Sequence, residues 1–169
     1  MENTKEIERK FLVNSLPDLT GTKYRHIEQA YLCTSPVVRI RKEDDDYYMT
    51  YKSEGFLERE EYNLPLYKDS YLHLLSKADG NIITKKRYLL DYQTHTIELD
   101  VFEGIFKGLM IAEVEFKNQT EAKAFVPPSW FGKEVTYEGR YHNSYLSSAA
   151  ISIVQKEIIP CLPESRCLV

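Results

Sequence analysis

Hydrophobic and polar residues alternate along most of the chain as far as Lys117, the pattern of strands whose successive side chains point to opposite faces. The alternation predicts strands near 4–13, 24–34, 36–44, 46–53, 58–65, 81–91, 95–103 and 109–117. Turn chemistry marks the joins: Asp44, Asp45 and Asp46 suit a tight hairpin between VVRIRKE and YYMTYK, and the stretch from Leu90 to Thr96 joins the next pair. Three helices interrupt. One over 66–78 places Tyr71, Leu74, Leu75 and Ala78 on one stripe, with Asp69 or Ser70 as N-cap and Gly80 just past its end. A short one follows Thr120, and a last one over 143–157 starts at Asn143 or Ser144 and stops before Pro160. No repeat, low-complexity run or linker divides the chain. The reading is one antiparallel β domain over 1–169 with peripheral helices.

Sorting each strand into its two faces exposes an oddity. In KEIERKFLV, Glu6, Glu8, Lys10 and Leu12 share one face, and Ile7, Arg9, Phe11 and Val13 the other. Arg39 lies with Arg41, Thr50 with Lys52, Arg59 with Glu61, and Lys85 with Arg87. Glu98 lies with Asp100, and Glu113 with Glu115 and Lys117. An antiparallel sheet with one wet face explains any single strand. It does not explain like charges recurring at i and i+2, about 7 Å apart, where each pair repels by roughly 2 kcal/mol at an effective dielectric of about 20. Charge is also sorted by strand: acids on the first, seventh and eighth, bases on the third, fourth and sixth. A closed sheet would bring these rows face to face around a central space, with the apolar faces outward under helices and loops. Carboxylates gathered at one side call for a hard divalent cation, Mg²⁺ or Mn²⁺. Lys and Arg at the other call for a polyanion. A metal-bearing linear polyphosphate meets both needs.

Composition narrows the alternatives. A 43% hydrophobic and 28% charged chain reads as a soluble domain, and a net charge of −4 argues against nucleic acid as a partner for the whole surface. No apolar run is long enough for a membrane helix, and the N-terminus, charged from Glu2, is unlike a signal peptide. Cys33, Cys161 and Cys167 lack CxxC spacing, which disfavours disulfides or zinc and makes the cytoplasm the expected compartment. Cys33 reads as a small apolar strand residue.

The EIERK stretch is an E-x-E-x-K signature, and EIERKFLV resembles the start of the CYTH family, the triphosphate tunnel metalloenzymes. The likeness continues in order through EQAYL (28–32), VRIRK (38–42), YMTYK (48–52), REEY (59–62), KKRY (85–88), IELDVFEG (97–104), GLMIAEVEF (108–116), EVT (134–136) and RYHN (140–143). The resemblance implies an eight-stranded antiparallel β tunnel with a charged interior, and the compact length resembles the short bacterial inorganic tripolyphosphatases. By position it implies that Glu6, Glu8, Glu113 and Glu115 hold divalent metal, and that Lys10, Arg39, Arg41, Lys52, Lys85 and Arg87 clamp phosphates. Arg59 and Arg140 would join the clamp, while Glu61, Glu98, Asp100 and Lys117 line the tunnel. Lys10 and Tyr31 would act on the attacking water, Tyr31 as a proton acceptor only if neighbouring cations lower its pKa. Three departures stand out. EVTYEGRY carries Glu138 where the family usually has Asp, EQAYL has Ala30 for the common Gly, and Asn63 replaces a frequent acid.

Rival readings use the same tunnel: a class IV adenylyl cyclase, a thiamine or nucleoside triphosphatase, an RNA-capping triphosphatase, or a sensor that binds without turnover. No segment plainly supplies an adenine pocket, and Trp130 reads as a structural plug in a Pro-rich loop. His26, His73, His95 and His142 show no metal-ligand spacing, and no phosphate-binding G-x-x-x-x-G-K-[ST] loop is present. Outward apolar faces not covered by three short helices would suit a homodimer.

Overall fold

A computed structural model describes residues 4–54 and 57–159, with backbone alone for 4–6 and 58. Nine strands form one antiparallel sheet: β1 (Thr4–Val13), β2 (Tyr24–Thr34), β3 (Val37–Glu43), β4 (Asp46–Lys52), β5 (Glu58–Pro65), β6 (Asp79–Tyr92), β7 (His95–Phe102), β8 (Met110–Glu115) and β9 (Phe131–Glu134). Their order is β5-β4-β3-β2-β6-β7-β8-β1-β9, and β5 pairs in addition with β1. The first half of β1 meets β5, Glu6 opposite Arg59, while residues 8–12 meet β8, with Glu8 opposite Glu115 and Lys10 opposite Glu113. The two neighbours take opposite edges of β1. Glu8 N–H donates to the Leu57 carbonyl on one edge, and Phe116 N–H donates to the Ile7 carbonyl on the other.

The eight expected strands are all present, and the ninth is a correction. β9 has only four residues, FGKE, too few to show a period, and it continues the edge of β1 that β5 leaves, where Val135 N–H donates to the Lys10 carbonyl. The aspartate hairpin turns with Asp44 at φ 52, a left-handed conformation that a short Asp side chain tolerates, and Asp44 Oδ1 accepts from His26 N–H at 2.8 Å.

The helices are shorter than the periodicity suggests. α1 spans Lys68–Leu75, starts after Tyr67 without a side-chain cap, and not at Asp69 or Ser70. Its expected stripe holds: Tyr71 is buried against Ala30 and Ile40, with Leu74, Leu75 and Ala78 beside it. α2 spans Gln119–Ala124, capped by Asn118, whose side chain accepts from Glu121 N–H. The continuous helix expected over 143–157 is broken. α3 covers Asn143–Ser148, Ala149 and Ala150 are extended, and α4 (Ile151–Ile153) runs into a π-helical turn over Val154–Ile158. Asn81 of β6 explains the break, since its Nδ2 donates to the Leu146 and Ala149 carbonyls at 3.0 and 2.8 Å. No helix among the described residues is long and apolar enough to cross a membrane.

Covered outer faces account for two of the three cores. Ile7, Phe11, Ile97, Leu99, Ala112 and Val114 pack under α2, Phe125 and Phe131, with Trp130 alongside. The third core lies on the other side of the sheet. Leu12, Ile83, Phe102 and Ile111, which share the face of the charged residues, join Leu146, Val154 and Ile158 in one cluster. The charged face is thus apolar at one end, where the C-terminal helices plug it.

That plug docks through Gly80 at the start of β6, whose φ is +75 and where a Cβ would run into the Ser147 carbonyl oxygen. Gly21 has a similar φ of +73 with nothing within 4 Å. Gly21→Ala should therefore cost only the left-handed penalty, about 1 kcal/mol, and Gly80→Ala about 3 kcal/mol or more. Urea unfolding of both variants checks this, and equal losses would contradict the contact.

Candidate active site

One cavity of about 1030 Å³ takes a lining residue from each of the first eight strands: Glu8, Tyr31, Arg39, Lys52, Arg59, Arg87, Glu98 and Glu113. It also takes Lys10, Arg41, Glu61, Glu115 and Lys117, so most of the residues singled out by alternation meet in one space. Lys85 and Asp100 are the first exceptions. Both are fully buried and ion-paired to each other, behind Arg87, whose guanidinium reaches Asp100, Glu98 and Glu113. Lys85 supports the wall, and burial lowers its pKa to about 8. Arg140 does not line the cavity; it hydrogen-bonds to Glu138 at 3.1 Å and stacks on Tyr141. Glu138, the candidate replacement for an acid, pairs with Lys133 and Arg140 and also lies off the cavity. Cys33 is exposed rather than part of an apolar face. The Glu6 side chain, with Cys161 and Cys167, lies outside the described residues.

Charge is segregated across the cavity. Acids of the neighbouring strands β7, β8 and β1 stand on one side, opposite Arg39 and Arg41 of β3. Lys10 sits between Glu8, at 3.0 Å, and Glu113. Burial works against its charge, but Glu113 and Glu8 outweigh that and raise its pKa. Glu8 is also tied to Arg59; burial would raise its pKa, yet Lys10 and other cations bring it down to about 2. Glu61, bonded to Lys52 at 2.7 Å, is likewise held at about 2 against burial.

Two groups stay uncompensated. Arg39 and Arg41 are 6% and 7% exposed. Arg39 donates only to Thr50 at 3.1 Å and has no carboxylate partner among the described residues; its Nε is buried with no partner. Burial and the neighbouring Arg41 both disfavour its charge. Arg41 leans on neutral acceptors, Gln29 at 2.8 and 3.0 Å and Tyr48 at 3.2 Å, with the Glu43 carboxylate only at 3.9 Å. Buried guanidinium charge without an anion is costly, and the cost is relieved by an anion entering from the cavity. The mirror case is Glu115, whose pKa is raised by burial and then by Glu98, Glu61 and Glu8. It has no ion pair among the described residues, and the carboxylates around it fit a hard divalent cation. As the side chains stand, no three described carboxylates are close enough to share an ion, because Glu8 and Glu113 are turned to Lys10, Arg59 and Arg87.

The condition for Tyr31 as a proton acceptor is not met. Arg39, Arg41 and Lys10 pull its pKa down, but burial outweighs them and the net shift is upward. Both shifts favour the protonated forms, phenol for Tyr31 and ammonium for Lys10. Sequence reasoning missed Arg25, Glu43, Tyr48, Gln29 and Asn143. Arg25 shares the alternation of Gln29 and Tyr31, so the period could have found it. Asn143, with its buried Oδ1 unpartnered, reaches the cavity from α3, where no strand period applies.

Glu8 and Glu61 titrate lower in the folded chain than in the unfolded one, so their stabilisation is present above about pH 4.5 and is lost as pH falls towards 2. The midpoint of thermal unfolding should drop across that window, and Glu8→Gln should flatten the drop. A midpoint independent of pH from 5 to 2 would contradict these pairs.

Three comparisons match this geometry. The CYTH domain model matches residues 4–149. An inorganic triphosphatase of Nitrosomonas europaea is 43% identical over 149 residues, covering 84% of this chain and 96% of the relative. One of Acetivibrio thermocellus is 35% identical over 147 residues, covering 84% and 92%. The crystal structure of the inorganic triphosphatase NE1496 superposes with a TM-score of 0.66 at 38% identity, covering 86% of this chain and 95% of that one. The chain belongs to the CYTH family.

Proposed function

We propose that this chain hydrolyses a triphosphate, inorganic tripolyphosphate first among the candidates, with Mg²⁺ or Mn²⁺ as the divalent metal. The reading takes the nine strands as a tunnel of eight, closed where β1 pairs with both β5 and β8, with β9 laid on its rim. The observation that carries it is the buried pair Arg39 and Arg41, the first with no carboxylate partner among the described residues and the second with one only at 3.9 Å. Their guanidinium forks suit phosphate oxygens. The relatives named inorganic triphosphatase support a substrate whose whole surface is phosphate.

In this reading Arg39, Arg41 and Lys52 bind non-bridging oxygens on the basic side, with Arg59 and Arg87 at the junction with the acids. Glu8, Glu113 and Glu115, with Glu6, hold the metal, which requires Glu8 and Glu113 to turn from their cation partners. When bound, a divalent metal would neutralise phosphate oxygens and lower the pKa of a water. Lys10 stays an ammonium and donates to a phosphate oxygen. Asn143 Oδ1, an acceptor among donors, accepts from the attacking water. A loose phosphoryl transition state needs positioning and charge neutralisation more than a strong base, which suits a site whose Lys10 and Tyr31 keep their protons. Water's oxygen bonds to the terminal phosphorus and the bridging P–O bond breaks; one water proton stays on the orthophosphate formed and the other passes to an oxygen of the departing pyrophosphate. The cytoplasm is the compartment this reading assumes.

Lys10→Ala and Glu115→Ala should each lower kcat for tripolyphosphate by at least about a thousandfold, and EDTA should abolish turnover reversibly. Glu115→Ala should unfold within a few degrees of the wild type, and Lys10→Ala should be destabilised by loss of the charge between Glu8 and Glu113 yet folded at the assay temperature. Full activity in either variant, or turnover that survives metal removal, would contradict the assignment.

A further inference from the structure

Gln29 lies on β2 two residues before Tyr31 and is wholly buried, with 0% exposure. Its Oε1 accepts from Arg41 Nε at 3.0 Å and from Nη2 at 2.8 Å, and its Nε2 reaches Tyr31 Oη at 3.3 Å. The amide cannot face the other way. A guanidinium carries only donors, so turning the amide would set N–H against N–H at Arg41. With Oε1 fixed on Arg41, Nε2 is fixed as the donor to Tyr31. The Arg39 guanidinium also acts on the phenol, and a guanidinium carries only donors, so it cannot accept the phenol proton. One lone pair of Tyr31 Oη faces the Nε2 donor and the neighbouring guanidinium offers no acceptor, so the hydroxyl proton is the part left to point into the cavity that Tyr31 lines. Burial acts in the same sense by keeping the phenol protonated.

We propose that Gln29 is a positioning residue that makes Tyr31 a fixed hydrogen-bond donor to a phosphate oxygen of the substrate. The chain of contact runs from the phosphate clamp to the phenol. Arg41 orients Gln29, and Gln29 orients Tyr31. The inference rests on the cavity being a triphosphate site, and its test has an arm that does not depend on turnover.

Gln29→Glu keeps the side-chain shape and the acceptor on Arg41 but replaces the Nε2 donor with an oxygen. The Tyr31 hydroxyl then turns to donate to position 29 and is lost to the substrate. The expected result is a fall in kcat for tripolyphosphate of roughly a hundredfold, read at saturating substrate because the new carboxylate also pairs with Arg41 and raises KM. In a Tyr31→Phe background the same substitution should change kcat by no more than about twofold. An equal loss in both backgrounds would overturn the proposal, because Gln29 would then act through Arg41 or packing. Carbon-13 labelling at tyrosine Cζ supplies the independent arm. The Tyr31 signal, assigned by its disappearance in Tyr31→Phe, should move in Gln29→Glu as the phenol changes from acceptor to donor at position 29. A stationary signal overturns the proposal. A wild-type chain that releases no phosphate overturns the functional reading and leaves the NMR result standing. Should Gln29→Glu fail to fold, Gln29→Met removes both polar ends at similar volume and must show the same non-additivity with Tyr31→Phe.

Discussion

Positive charge buried without an anion is the constraint on which the rest of this molecule depends. Arg39 and Arg41 sit side by side on β3, almost out of water, with Thr50, Gln29 and Tyr48 as their nearest partners. Elsewhere in the cavity the same problem is solved internally: Lys10 by Glu8 and Glu113, Lys52 by Glu61, and Arg87 by Glu98, Asp100 and Glu113. Those pairs offset the desolvation of both partners. Leaving Arg39 out of that pairing and Arg41 with only Glu43 at 3.9 Å, and crowding Glu115 among like charges, makes the cavity complementary to something with both signs. A metal-bearing polyphosphate has both.

Turning charge inward sets the remaining architecture. Apolar residues pushed to the outer faces must be covered, and α1, α2 and the segment around Phe125 and Phe131 do this over two patches. One end of the charged face must also be shut against water. Leu12, Ile83, Phe102 and Ile111 extend the cavity face into an apolar floor on which the broken C-terminal helices sit. Lys85 and Asp100 lie at the border between floor and cavity, which explains why both are fully buried and paired rather than open to substrate.

Much of this was legible from period two alone. The pairs Arg39 with Arg41, Glu98 with Asp100, and Glu113 with Glu115 announced a charged face, and the sorting of acids and bases by strand anticipated the two sides of the cavity. The floor was not legible, since Leu12 and Ile111 sit on the charged face by alternation and only tertiary packing makes them a plug. Lys85 and Asp100 lie behind the cavity wall for a related reason: alternation gives a face, not a depth along it; Arg140, in a turn and on no strand, had only the resemblance behind it. β9 was too short for any period, and the break in the last helix depends on Asn81, far away in sequence. Burial decided the protonation of Tyr31, and a strand pattern cannot weigh burial against nearby cations.

The most direct measurement is phosphate release from tripolyphosphate and from ATP, side by side, with Mg²⁺. Rapid release from tripolyphosphate, with ATP turned over far more slowly, is what a cavity built to read phosphates alone predicts. Formation of pyrophosphate and cyclic AMP from ATP, or tight binding of tripolyphosphate with no turnover, would contradict it.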